Sequence, residues 1–142
     1  MRLKSTLAIV AFTLILVAAP DADAQSPCSI ALDEGLKAYE IGRFDQVAEL
    51  LSECTQGGRQ ATRREQVEAL RLVAMAWIGA DYPERAESAV QKLLELKPNF
   101  ESTLRDPLRF AQMVEQTRLV EANQQVTSVS KKSESILLAP AT

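Results

Sequence analysis

Two kinds of hydrophobic pattern divide the chain. Residues 7–19 are an apolar core interrupted only by Thr13, preceded by Arg2 and Lys4 and followed by Ala22-Asp23-Ala24. That order of positive, apolar and small-residue regions is the pattern of a secretory leader, which places cleavage after Ala24. The alternative is a membrane anchor, but the run is short for a span of about 20 residues. From residue 29 onward the apolar positions instead recur every three or four residues, as on one face of a helix.

That second pattern predicts about five helices. Residues 29–42 carry Ile30, Leu36, Ala38 and Tyr39 at helical spacing and end on Gly42. Residues 44–54 follow with Phe44, Val47, Ala48, Leu51 and Cys54 on one side, and Gly57-Gly58 breaks the helix. The two-residue joint Gly42-Arg43 permits only a tight antiparallel hairpin. A third helix opens at Thr62-Arg-Arg-Glu65, a capping-box pattern, and runs to about Gly79. Its second half is apolar nearly all round, so it should be the most buried, with Met75 and Trp77 as core residues. A fourth runs from Pro83 to Leu96, with Ala86, Ala89, Val90, Leu93 and Leu94 in one stripe and Pro98 beyond its end. A fifth begins at Asp106-Pro107, the Asp serving as cap, and fades near Glu121. Residues 123–142 are polar and β-branched, which predicts an extended tail. The expected division is thus a leader at 1–24, an all-α domain at 25–122 and the tail.

Composition narrows the chemistry. The 142 residues are 46% hydrophobic and 25% charged, with a net charge of −3. That is an ordinary globular balance, without the basic excess that a nucleic-acid partner calls for. The chain contains no His, the commonest general base and metal ligand. No nucleophile elbow, phosphate loop or metal cluster appears, so no enzyme, metal or cofactor is expected. Acid pairs such as Glu34 with Glu40, or Asp81 with Glu84, read as exposed helix charges.

The only cysteines are Cys28 and Cys54. Export would bring them to an oxidising compartment. Cys28 falls at the start of the first helix and Cys54 at the end of the second, ends that an antiparallel hairpin makes neighbours. A disulfide there would close a loop of roughly 25 residues and contribute about 3 kcal/mol. Two separate thiols are the alternative. The spacing is not C-x-x-C, so the role would be structural.

Two successive helix pairs suggest a repeat. Gly35, Tyr39, Gly42, Phe44, Val47 and Leu51 in the first pair fall where small and large residues alternate in a tetratricopeptide repeat. Leu70, Ala74, Trp77, Ala86, Val90, Leu93 and Pro98 do so in the second. The pairs resemble that family over residues 29–100. They lie about 39 residues apart rather than the family's 34, because the loop at 55–61 is longer. The resemblance implies TPR-like antiparallel helix pairs and a protein-interaction scaffold. Its concave face would come from the first helix of each pair, making Lys37, Glu40, Arg64, Glu68 and Arg71 candidate contacts.

The last stretch, "VTSVSKKSESILLAPAT", resembles the start of the plug of TonB-dependent outer-membrane receptors. "LRDPLRFAQMVEQTR" is similar to the periplasmic helical extension that precedes some of those plugs. This resemblance implies a non-enzymatic periplasmic interaction domain, with TonB pairing as an added strand to Val126, Thr127, Ser128, Val129 and Ser130. The chain carries neither plug nor barrel, and a free-standing periplasmic adaptor is the alternative.

Overall fold

The computed structural model describes residues 25–57 and 61–137, with side chains through residue 128. The leader assigned to 1–24 lies outside the described residues. Six helices follow one another: α1 (Pro27–Glu40), α2 (Phe44–Leu50), α3 (Ser52–Thr55), α4 (Arg63–Gly79), α5 (Pro83–Leu96) and α6 (Leu108–Leu137). Among the described residues there is no strand.

Local chemistry sets most of the ends. Ser26 caps α1, its hydroxyl accepting from the Ser29 N–H at 3.0 Å, and Pro27 opens the first turn. Gly42 takes φ +75°, so the chain reverses in two residues before α2. The capping box at α4 is reciprocal. The Glu65 N–H donates to Thr62 Oγ1 at 3.2 Å, and the Thr62 N–H donates to Glu65 Oε2 at 2.7 Å. Pro83 starts α5, and at its far end Arg63 Nε donates to the Leu96 carbonyl at 3.1 Å.

α4 is the hub. It packs against α1, α2 and α3 on one side and against α5 and α6 on the other, while α1 and α2 do not touch α5. Eight of its residues are buried, among them Ala69, Ala74 and Ala76 with no exposure. Small side chains let neighbouring helices approach from several sides. Close approach also explains Gly79. A Cβ there would lie 2.6 Å from the Phe44 ring, so the ring of α2 occupies the place of a side chain on α4.

Four expectations are corrected. The helix foreseen over 44–54 is two, α2 and α3, joined at Leu51. Leu51 has φ −97° and ψ 3°, and its side chain is fully buried. Tertiary burial there outweighs helical regularity. In α1 the buried residues are Cys28, Gly35 and Ala38, whereas Ile30 and Leu36 are each 48% exposed. The inward face is the small one, because α1 lies close to its neighbours.

Asp106 does not cap α6. Its carboxylate accepts from the Thr103 N–H at 2.7 Å and from Arg71 instead, and Pro107 supplies the first carbonyl of the helix. The tail expected to be extended from residue 123 continues α6 to Leu137. No Gly or Pro interrupts the sequence between 108 and 139. The hydroxyls of Thr127 and Ser128 donate to the carbonyls of Asn123 and Gln125 at 2.6 and 2.8 Å, a local bonding that helices tolerate. The fading apolar pattern marks where α6 leaves the core, since residues 122–128 are all exposed.

Cys28 and Cys54 sit at disulfide distance, their Cα atoms 5.7 Å apart. That distance brings the start of α1 beside α3 rather than beside the end of a single second helix.

Candidate functional site

α1 and α4 lie side by side and point the same way. At their N-terminal ends the Ser26 hydroxyl donates to Glu65. Midway, Gly35 faces Leu72. At the far end Tyr39 and Met75 line the same groove.

The groove holds about 390 Å³. Leu32, Asp33, Leu36 and Tyr39 form the α1 wall, and Glu68, Arg71, Leu72 and Met75 form the α4 wall. Arg105 and Pro107, just before α6, close one side. Toward the helix N-termini a second furrow of about 400 Å³ shares Leu32, Asp33 and Glu68 and adds Ser29, Thr62, Arg64 and Glu65. The two adjoin through those shared residues, with Tyr39, Leu72 and Met75 lining the first and Arg64 and Glu65 the second.

One wall is stiffened by ions. Arg71 Nη1 is 3.2 Å from Glu68 Oε2, and Nη2 donates to Asp106. The Asp106 carboxyl is fully buried. Burial works against its ionisation, but the bonds from Arg71 and Thr103 outweigh that and hold its pKa below the ordinary carboxylate value. Glu65 is also held low, by the Ser26 hydroxyl first and then by the Thr62 N–H. With Arg71 committed to two acids, it shapes the wall and offers little free charge. Arg105 and Asp33 are exposed and have no ion-pair partner among the described residues.

Of the candidate contacts read from the sequence, Glu68 and Arg71 line the groove and Arg64 lines its charged extension. Lys37 and Glu40 are exposed on α1 but do not line it. Val126, Thr127, Ser128, Val129 and Ser130 all lie in α6, and the first three are exposed. The apolar half of the groove (Leu32, Leu36, Leu72, Met75) carries no separate sequence signal, because apolar residues at helical spacing read as core. The signal available was the small-residue spacing of Cys28, Ala31, Gly35 and Ala38, which assigns the inward face to them and leaves Leu32 and Leu36 beside it.

Among the described residues no group of three acids or cysteines could hold a metal ion, and no helix is long and apolar enough to cross a membrane. An open, half-apolar groove with a fixed charged wall can bind a side-chain-bearing segment. No protein-family profile, curated protein or solved structure matches the chain.

Proposed function

We propose that the chain is a non-enzymatic protein-docking domain, built as two tetratricopeptide-like helix pairs braced by α6, with the α1–α4 groove as its working face. The carrying observation is that groove: Leu36 is 48% exposed in it, beside the ion-paired wall of Arg71, Glu68 and Asp106. The order of packing supports the repeat reading. Each helix touches its partner in the pair and the next pair's first helix, as stacked pairs do. The first helices of the pairs, α1 and α4, would then form the concave side.

The leader-like residues 1–24 and the Cys28–Cys54 pair support an exported protein in an oxidising compartment such as the periplasm. The likeness of the last residues to a plug junction supports placing the domain in front of a TonB-dependent receptor. TonB would then take residues 126–130 as an added strand once they leave α6. Their β-branched and Ser-rich sequence makes that departure cheap. A free-standing adaptor remains the second reading, favoured by the groove alone.

Co-purification with quantitative mass spectrometry tests the docking role. Proteins retained by the wild-type chain should be lost with Leu36→Asp and kept with Lys92→Asp, at an exposed position of α5. Equal retention by all three chains would overturn the proposal. An antibody to the domain separates the two placements. A band much larger than 15.6 kDa in the outer membrane marks a receptor, and a soluble band near that size marks an adaptor.

A further inference from the structure

Cleavage after Ala24, part of the reading of this chain as an exported protein, would leave Gln25 as the first residue. We infer that Gln25 is a modification site: its new α-amine closes on its own side chain and gives a pyroglutamyl terminus. This inference rests on the leader reading and is independent of the docking role.

The step needs only the residue itself. The amine nitrogen attacks Cδ of the side-chain amide. The new N–Cδ bond closes a lactam ring, and the bond from Cδ to the amide nitrogen breaks. A proton from the amine leaves with that nitrogen as ammonia, so nothing is oxidised or reduced. The attack needs the neutral amine, and an α-amine with a pKa of about 7.7–8.0 supplies a fraction of it at neutral pH. Asparagine, one methylene shorter, would have to close a smaller, strained ring, so the chemistry is particular to glutamine.

The fold leaves this residue free and holds the next. Gln25 is exposed and precedes α1. From Ser26 onward the chain is fixed. The Ser26 hydroxyl accepts from the Ser29 N–H at 3.0 Å and donates to Glu65, and the Ser26 carbonyl accepts from the Ile30 N–H at 3.2 Å. Electrostatics at the helix start favour the ring. A cationic amine one residue before the α1 cap opposes the positive end of the helix dipole, and the lactam carries no charge. The Glu65 carboxylate does not depend on that amine, since it accepts from the Ser26 hydroxyl, the Thr62 N–H and the Thr62 hydroxyl. A terminus without a primary amine also gives aminopeptidases no starting point.

Amine labelling before digestion tests this on the full chain, exported by cells and purified. Reductive methylation marks every free amine, and trypsin then cuts only at arginine, so the first peptide is 25–43. By mass spectrometry it should begin at Gln25, carry no methyl label on its terminus and be lighter than the linear peptide by one ammonia. Lys37, exposed in the same peptide, should carry the label and shows that labelling was complete. Gln25→Asn should give the same start with a labelled terminus. A linear peptide labelled at Gln25 overturns the inference and leaves the leader reading standing. A first residue other than Gln25 overturns both. An unlabelled terminus that persists in Gln25→Asn also overturns the inference, since the block would then not come from the side chain.

Discussion

Gly79 ends α4 with the Phe44 ring pressed against the site where a Cβ would stand. Gly79→Ala should therefore cost about 1–3 kcal/mol, because the half-buried Phe44 ring must shift to make room. A urea melt measures it, and an unchanged midpoint would show that the ring moves freely. Asp106 contributes to the response to acid. Its folded pKa lies below the ordinary value of 3.8. A depressed acid contributes stability above its unfolded pKa and loses it as pH falls through the folded one. Stability should thus decline below about pH 4. Asp106→Asn should cost about 2–3 kcal/mol at neutral pH and flatten that decline, since Arg71 loses its buried partner. Melts of both chains at several pH values show it. Neither residue announced its role in sequence. Gly79 reads as a helix end and Asp106 as a cap, because spacing along the chain does not report a partner that is distant in sequence.

At the scale of elements, the disulfide-distance pair Cys28 and Cys54 joins α1 to α3. Replacing both with Ser should lower stability by about 3 kcal/mol, and reduction of the wild-type chain should do the same. α6 behaves as two halves. Phe110, Val114 and Thr117 are buried, and Arg118 donates to the Phe100 carbonyl, whereas residues 122–128 contact solvent. Ending the chain after Ala122 should leave the melt of the domain within about 0.5 kcal/mol while removing helical circular dichroism. A large loss of stability would mean that the outer half braces the body. Starts set by caps and prolines were legible: Thr62 with Glu65, and Pro83. The end of α6 was not, because loss of apolar periodicity marks departure from a core and not the end of a helix. The break at Leu51 was hidden for the converse reason, since burial of that side chain fixes a backbone angle that no local residue signals.

At the scale of the molecule, α4 gathers the other helices, and among the described residues one face of its contact with α1 is open as a groove. The all-helical class and the approach of the two cysteines were readable from spacing. The site was readable in part: Glu68 and Arg71 line the groove, Arg64 lines its extension, and Lys37 and Glu40 lie off it. A helix's first-in-pair position selects a side of the fold, not the rotation about the helix axis. The direct test of the docking account is a photo-crosslinking residue placed at Leu36 in the groove, compared with one at Lys92 on α5, in cells exporting the full chain. The account predicts adducts at Leu36 that mass spectrometry assigns to defined peptides and that Asp33→Lys weakens, with none of them at Lys92. Identical adducts at both positions, or none at Leu36, would contradict it.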